Sequence, residues 1–296
     1  GLSASITSSL CGIIWMLVAM GLIVLSNATT KWISADYSAG QVVFFRSLFV
    51  LLFLIPIVWR SGGIATLRVT NWRDQSLRSL FHTLTAARIV TSVVLLPLAD
   101  VEVLLFSSIL FIALLSGPVL GERVGWHRMS AVLVGFFGVL IMLRPTPELW
   151  QPAAFIAIAA ALFSALRHVW ARKMRMTENT NAMMMCGETL LLVASGLTAF
   201  MSFSALDWKP LIGDDLFLMA LNGLVFGGAQ YALILAFRQG EAAAVAPFRY
   251  SAAIWAVSFG YLIFGDLPDM FVMVGGSVII ASGLYILNRE TRGATS

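Results

Sequence analysis

The sequence predicts an all-α membrane protein with ten transmembrane helices, arranged as two inverted five-helix repeats around a central cavity. Three observations support this fold class. The 296 residues are 59% hydrophobic and only 11% charged, a composition that excludes an ordinary soluble domain. Ten apolar segments approach the roughly 20 residues that a helix needs to cross a bilayer. The two halves of the chain also match each other at a spacing of 142 to 144 residues.

The ten segments divide into two predicted repeats, residues 1–146 and residues 147–296. The loop Gly121-Glu122-Arg123 has a counterpart in Gly265-Asp266-Leu267, 144 residues later. A repeat with an odd number of spans enters the membrane from opposite sides in its two copies. This arrangement is typical of secondary transporters, whose substrate site lies between the halves. The predicted spans are 10–33, 39–59, 77–98, 100–120, 128–144, 152–172, 182–204, 215–237, 242–264 and 270–288.

The basic residues predict the orientation of the spans. With a cytoplasmic N-terminus, the inner segments hold twelve lysines and arginines and the outer segments hold three: Lys31, Arg144 and Lys209. Short cytoplasmic loops carry an excess of basic residues. We therefore expect both termini to face the cytoplasm. The net charge of +4 is explained by this topology, so it does not indicate nucleic-acid binding.

Polar stripes on several spans predict a shared interior site. Ionisable side chains inside a membrane are costly and usually face a bundle interior or a watery cavity. Helix–helix hydrogen bonding is the alternative explanation for each stripe, and Arg167 also fits an arginine that reaches toward the headgroups. Our predicted substrate-binding residues are Trp15, His82, Arg88, Phe106, His168, Asn222, Gln230, Tyr250 and Ser251.

Three further residues are predicted to act in gating. Arg46 and Glu188 occupy equivalent places in the two halves with opposite charge, but their depths argue against a direct ion pair. We expect Glu188 to hold polar groups near the inner gate. Pro247 removes a hydrogen bond from the ninth helix, which predicts either a kink that faces the cavity or a passive bend.

The fifth and tenth spans carry small residues instead of ionisable ones. Ala131 and Gly135 are four residues apart, as are Ser277 and Ala281. This spacing lets helix backbones approach closely. We expect the two spans to join the halves of one molecule, or alternatively to join two molecules. A monomer is the expected state, with a homodimer as the alternative.

Motifs for enzymatic chemistry are absent from the sequence. It has no His-Glu-x-x-His pair, no Gly-x-Ser-x-Gly turn and no phosphate-binding loop, which are the signatures of common hydrolases and nucleotide-dependent pumps. We predict no enzymatic activity, no cofactor and no metal site. The expected partners are a small-molecule substrate and the lipid bilayer, without nucleic acid.

Several of these features together resemble a known family. The ten spans in two halves, the Gly-Glu-Arg turn after the fourth span and its Gly-Asp counterpart after the ninth are similar to the drug/metabolite transporter superfamily, in particular its EamA-type members. The segment from Val245 to Ser251 is similar to bacterial amino-acid exporters of the YddG type. Many relatives carry a proline in the fourth span too, and the segment Leu104 to Ser108 has none.

This resemblance implies an exporter of aromatic and other neutral amino acids in the bacterial inner membrane, working by alternating access. Arg88 or His82 would then meet the substrate carboxylate, and backbone carbonyls or the faces of Phe106 and Trp15 would meet its ammonium group. An exporter of other small metabolites or drugs is one alternative. A receptor or structural subunit that transports nothing is the other.

The orientation predicts which loops can be labelled from outside. A single cysteine placed between Arg144 and Trp150, in a chain that lacks Cys11 and Cys186, should react with an impermeant thiol reagent added to intact cells. A cysteine near Arg73 should react only after the cells are opened. The reverse pattern would invert the predicted topology.

Overall fold

The structure is a computed structural model that describes residues 2–33, 36–95, 104–122, 124–144, 147, 152, 154–198, 208–211, 214–259, 261–262 and 270–292. Every regular element within these ranges is helical, as predicted. The α-helices are α1 (Leu2–Ile33), α2 (Ala39–Arg60), α3 (Trp72–Leu95), α4 (Ser108–Leu120), α5 (Trp126–Leu143), α6 (Ala154–Lys173), α7 (Thr180–Leu197), α8 (Asp215–Gln239), α9 (Ala242–Val245), α10 (Ser251–Phe259) and α11 (Met270–Arg292). Two 3₁₀ segments lie at Gly63–Leu67 and Ala246–Tyr250.

Local sequence accounts for several helix ends. The hydroxyl of Ser38 accepts from the backbone N–H of Gln41 at the start of α2. The side chain of Asn179 likewise accepts from the N–H of Asn181, at 2.9 Å, at the start of α7. Such caps satisfy N–H groups that have no partner within the helix. Helix α4 ends at Gly121, whose φ of 70° is the left-handed conformation that glycine adopts without a steric penalty.

The ninth predicted span is divided into three segments. Instead of one kinked helix over 242–264, the described part consists of α9, the 3₁₀ segment Ala246–Tyr250 and α10. Pro247 lies in the first turn of the 3₁₀ segment, where its missing N–H and fixed φ are tolerated. The span is therefore interrupted by a 3₁₀ segment at the proline, and residues 260 and 263–264 lie outside the described ranges.

The helices are long and apolar enough for a multi-pass membrane protein. Within the described ranges, five satisfy the length and composition for crossing a bilayer: 9–30 in α1, α2, α5, α6 and α8. Shorter apolar helices cover 104–120 and 270–286. Helix α3 has the length of a span, but it carries the polar stripe that contains Arg78 and His82. The predicted fold class is thus confirmed.

The packing of the helices repeats when the two halves are exchanged. Helix α1 packs on α8, and its counterpart α6 packs on α3. The contact of α2 with α8 corresponds to that of α7 with α3, and the contact of α1 with α10 to that of α6 with α4. Pairs α2–α7 and α5–α11 map onto themselves. A pseudo-twofold relation between two five-helix repeats produces this pattern, while the predicted boundary between residues 146 and 147 stays a prediction.

Helices α5 and α11 form a close seam inside one molecule, as expected, but the predicted residues Ser277 and Ala281 of α11 are exposed. A Cβ atom built on Gly138 would lie 2.9 Å from the carbonyl oxygen of Gly275, and one built on Gly275 would lie 2.5 Å from that of Gly138. The hydroxyl of Ser282 donates to the carbonyl of Ala131 at 2.6 Å. Glycines let these backbones approach to van der Waals contact. This seam joins the end of one half to the end of the other.

The seam predicts different effects for two neighbouring glycines. Gly275→Ala places a methyl group against the rigid backbone of α5, whereas Gly276→Ala meets only the flexible end of Met142, at 3.5 Å. We expect Gly275→Ala to destabilise the protein by about 1–3 kcal/mol, as overpacking does, and Gly276→Ala to have little effect. Thermal unfolding of both variants in detergent measures the difference. Equal midpoints would mean that the backbones are not in close contact.

Candidate functional site

Five buried ionisable side chains meet where α3, α6 and α7 pack together. We call them the buried charged cluster: Arg78 and His82 from α3, Arg167 and His168 from α6, and Glu188 from α7. None of the five is more than 7% exposed. Long charged side chains are almost never buried to this extent unless they are paired. The cluster is therefore an unusual feature even for the interior of a membrane protein.

The cluster is joined by contacts that run across the three helices. Nη1 of Arg167 lies 2.5 Å from Nδ1 of His82, and Nη2 of Arg167 lies 3.2 Å from Nε2 of His168. On its other side, Nε2 of His82 lies 3.2 Å from Oε1 of Glu188. His82 thus stands between a guanidinium and a carboxylate.

These contacts assign the protons of the two imidazoles. A guanidinium only donates hydrogen bonds, so the ring nitrogens that face Arg167 must accept. His82 is then neutral and carries its proton on Nε2, toward Glu188, and His168 is neutral with its proton on Nδ1. In this arrangement the cluster holds two positive charges and one negative charge.

Arg78 lies on the same side of α7 as His82. Its Nη1 donates to the carbonyl of Met183 at 2.8 Å. A Cβ atom on Gly187 would lie 3.4 Å from Nη1 of Arg78 and 3.6 Å from the ring of His82. Gly187 therefore leaves room for both side chains against α7, next to Glu188.

Several polar atoms of the cluster have no hydrogen-bond partner in the protein. They are Nε of Arg78, Nε of Arg167, Oε2 of Glu188 and Nε2 of His82, whose 3.2 Å contact with Glu188 lacks hydrogen-bond geometry; all are buried. A buried polar atom without a partner costs about 1–3 kcal/mol, and more when it is charged. The cluster thus offers both donors and an acceptor to a ligand.

The cluster lies away from the ends of its helices. At about 1.5 Å per residue, His82 is roughly 15 Å from the start of α3, and Glu188 roughly 12 Å from the start of α7. Arg167 is roughly 9 Å from the end of α6. Since the hydrocarbon core is about 30 Å thick, these side chains lie between the predicted cytoplasmic face and the middle of the membrane.

Two more arginines flank the cluster. Arg46 on α2 is half-buried, with its guanidinium carbon 3.9 Å from the centre of the Phe226 ring. Arg46 and Glu188 form no ion pair, although they lie within electrostatic reach of each other; their predicted gating roles stay predictions. Arg249, in the 3₁₀ segment after Pro247, donates to the hydroxyl of Ser108 at 3.0 Å and lies within electrostatic reach of Arg167.

The structure brings together only some of the predicted site residues. His82, His168 and Glu188 meet in the cluster, and His168 also stacks on Phe237 with ring centres 4.6 Å apart. Arg88 is on the same helix as His82 but is exposed, so it lies outside the cluster. Gln230 and Ser251 are buried, and the Ser251 hydroxyl has no hydrogen-bond partner.

Other predicted site residues contribute to helix packing. The amide of Asn222 donates to the carbonyl of Ser26 at 2.9 Å and to the hydroxyl of Thr29 at 2.8 Å, which fastens α8 to α1. The hydroxyl of Tyr250 donates to the carbonyl of Val132 at 3.1 Å, and its ring covers Gly135.

Two of the remaining predicted residues lie beside this packing. The ring of Phe106 is 5.7 Å from that of Tyr250, and Trp15 packs at the edge of the main hydrophobic core. Pro247 is buried in the 3₁₀ segment.

Sequence reasoning left Arg78 and Arg167 out of the predicted site. Arg78 shares the polar stripe of His82, one helical turn away, and Arg167 directly precedes His168. Both stand close enough to a helix end to reach the headgroups, as arginines often do. The signal that could have found them is the coincidence of a histidine and an arginine on each of the paired helices α3 and α6.

A second polar network ties the helices together at the predicted cytoplasmic face. Nε of Arg172 lies 3.1 Å from Oε1 of Glu122, and its Nη1 donates to the carbonyl of Arg238 at 2.9 Å. Glu122 also accepts from the backbone N–H groups of Ala242 and Ala243, at 3.2 and 3.4 Å. The loop after α4 is thereby bound to α6 and to the start of the ninth span.

The same face is closed further by Glu178 and Arg238. Oε1 of Glu178 accepts from the N–H groups of Thr70 and Asn71, at 2.8 and 2.6 Å. Arg238 donates to the carbonyls of Glu178 and Arg175. We call the contacts of Glu122, Arg172, Glu178 and Arg238 the closing network.

A helical membrane bundle with a buried charged cluster and a closing network on one face has the features of a membrane transporter. Comparisons with known proteins agree with this class. Residues 10–144 match the EamA-like transporter family. A riboflavin transporter of Rhizobium johnstonii is 28% identical over 95% of this chain and 92% of its own. An S-adenosylmethionine uptake transporter of Rickettsia felis is 25% identical over 96% of this chain and 94% of its own.

Two further similarities extend over most of the chain. A pseudopaline exporter of Pseudomonas aeruginosa, CntI, is 27% identical over 90% of this chain and 92% of its own. A solved crystal structure shares the fold, with a TM-score of 0.81 and 18% identity over 95% of this chain and 96% of that one. The resemblance to EamA-type transporters of the drug/metabolite superfamily is confirmed, and this class consists of transporters rather than enzymes. The finer resemblance to amino-acid exporters of the YddG type stays a prediction.

The closing network predicts an effect of Glu122 on access from the cytoplasm. Glu122→Gln keeps the size of the side chain but turns one acceptor into a donor that faces N–H groups. Hydrogen bonds to a charged group are worth about 1.5–3 kcal/mol, so the closed arrangement should be weakened. Cys186, half-buried on α7, should then react roughly tenfold faster with an impermeant thiol reagent in inside-out vesicles of a Cys11→Ser background, since about 1.4 kcal/mol corresponds to tenfold.

Glu241→Gln is the matched control. Glu241 also pairs with an arginine at this face, Arg128, but its side chain is 44% exposed, and exposed pairs contribute little. Its labelling rate should stay unchanged. Equal rates in both variants would mean that Glu122 does not hold this face closed.

Proposed function

We propose that the chain is a secondary transporter of the bacterial inner membrane that moves small metabolites bearing a carboxylate, and that the buried charged cluster is its substrate site. The observation that carries this proposal is the unpartnered Nε of Arg78 and of Arg167 beside an unpartnered oxygen of Glu188. Ionisable side chains inside a membrane are costly, and a buried polar atom without a partner adds to that cost. A bound carboxylate would offset part of this cost.

The chemistry of the cluster fits the α-amino and α-carboxyl groups of an amino acid. A guanidinium can bind a carboxylate through two parallel hydrogen bonds, and Oε2 of Glu188 can accept from an ammonium group. The side chain of the substrate would then extend toward the apolar core of the bundle, near Phe106 and Trp15. Aromatic and other neutral amino acids are the cargo that the sequence resemblance implies, and they are the first candidates to test.

The two faces of the bundle support alternating access. The closing network binds α6, α8 and the loops after α4 and before α3 at one face. A pseudo-twofold pair of repeats can exchange this closed face for the opposite one through relative motion of the repeats. We propose export as the direction, as the resemblance implies; among the relatives, one is named an exporter and another an uptake transporter.

Counterflow in proteoliposomes tests transport and the site together. Vesicles loaded with unlabelled phenylalanine should take up labelled phenylalanine, and Arg78→Gln should slow this exchange at least about tenfold, because one guanidinium-to-carboxylate contact is worth about 1.5–3 kcal/mol. Arg68→Gln, an exposed arginine in the loop before α3, should exchange at the original rate. Both variants are compared at equal amounts of monodisperse protein.

The outcomes separate the parts of the proposal. Exchange that is the same in Arg78→Gln and in the unchanged protein would place the substrate elsewhere. A protein that exchanges no small carboxylate would be a receptor or structural subunit instead. The direction is tested in cells fed phenylalanine dipeptides, where the chain should lower the intracellular phenylalanine concentration; a rise would indicate uptake.

A further inference from the structure

We infer that the substrate site selects a net-negative organic acid, one with two carboxylate groups, over a neutral amino acid of the same shape. This inference rests on the proposed function and specifies its substrate class. It comes from the balance of charge around the cluster, which is positive.

The positive groups around the site outnumber the negative ones. Arg78 and Arg167 are buried within the cluster, and Arg46 lies beside Glu188 with its Nε buried and unpartnered. Arginine keeps its proton in proteins, and both imidazoles are neutral in the observed arrangement. Among the described residues, Glu188 is the acid that faces these three guanidiniums. These four groups alone give a surplus of two positive charges, and Arg249, within electrostatic reach of Arg167, adds a further positive charge nearby.

The other acids near these helices are engaged at the closing face. Glu122 is bound to Arg172 and to two backbone N–H groups, and Glu178 is bound to the N–H groups of Thr70 and Asn71. Asp74 accepts from Trp170 and Lys173, both at 3.1 Å. Each of these carboxylates has donors of its own within the described part of the chain.

A ligand with two carboxylates matches this surplus. A neutral amino acid brings one negative and one positive charge, so it leaves the surplus unchanged. Adding a second carboxylate to an amino acid lowers the surplus by one, and a dicarboxylate without an ammonium group lowers it by two. Buried charges without a counter-charge are strongly unfavourable, which is why the site should prefer the acid to its amide.

Isosteric pairs of an acid and its amide test this preference. The probes are glutamate against glutamine, aspartate against asparagine, and succinate against succinamate. Each probe competes with the exchange of labelled phenylalanine in proteoliposomes. We expect each acid to compete about tenfold better than its amide, the ratio that corresponds to about 1.4 kcal/mol. Amides that compete as well as the acids would overturn this inference while the proposed function stands. Exchange of no probe, acidic or neutral, would overturn both.

Two substitutions should move the preference in opposite directions. Arg46→Gln removes a positive charge held against one aromatic ring, so the ratio of acid to amide should fall toward one. Glu188→Gln removes the facing negative charge, so the ratio should rise. Arg60→Gln, an exposed arginine at the end of the same helix as Arg46, should leave the ratio unchanged. A ratio that is the same in Arg46→Gln, Glu188→Gln and the unchanged protein would mean that the charge surplus does not select the substrate.

Discussion

The cost of burying charge in a membrane is the constraint on which the interior of this protein depends. This cost is reduced by a chain of contacts that crosses three helices, from Arg167 through His82 to Glu188. Because the guanidinium donates to one nitrogen of the imidazole, the other nitrogen carries a proton toward the carboxylate. One neutral ring thus connects a positive and a negative charge that do not touch. The contacts also fix how α3, α6 and α7 sit against one another, since a shift of any helix would leave a buried charge alone.

The rest of the bundle provides a frame around this chain. Helices α5 and α11 pack through glycines and small residues, and their close backbone contact joins the two halves. The helices that carry the charged cluster, α3, α6 and α7, are therefore not the only connection between the two halves. The pairs α1–α8 and α3–α6 correspond under the pseudo-twofold relation. The repeat thus supplies two equivalent interfaces between the halves, and their residues differ: Asn222 fastens one of them, and the other holds the charged cluster.

The fold was more predictable from the sequence than the site, for physical reasons. Long apolar segments predict membrane spans, and small residues predicted that α5 and α11 pack together, because both are local patterns. The contact residues of α11 are Gly275 and Ser282, however, and not the predicted pair Ser277 and Ala281. Polar stripes indicated His82 and His168, and the repeat indicated Glu188, but neither pattern could show which helices face each other. Asn222 and Tyr250 are residue types that often bind ligands. Here, however, each side chain donates a hydrogen bond to a backbone carbonyl of a helix far away in the sequence. Arg78 and Arg167 were missed because an arginine near a helix end fits both an interior and a headgroup location.

Met183, at the start of α7, contacts both the buried charged cluster and the closing network. Its backbone carbonyl accepts from Nη1 of Arg78 at 2.8 Å, and its side-chain sulfur lies 3.9 Å from Nη1 of Arg238. Gln75 also reaches this carbonyl, at 3.4 Å. Under the proposed function, a carboxylate that draws the Arg78 guanidinium away from Met183 would loosen α7 at the segment that Arg238 also contacts. Binding would then act against closure of the predicted cytoplasmic face, and such a differential contact is what a ligand needs in order to shift a conformational equilibrium.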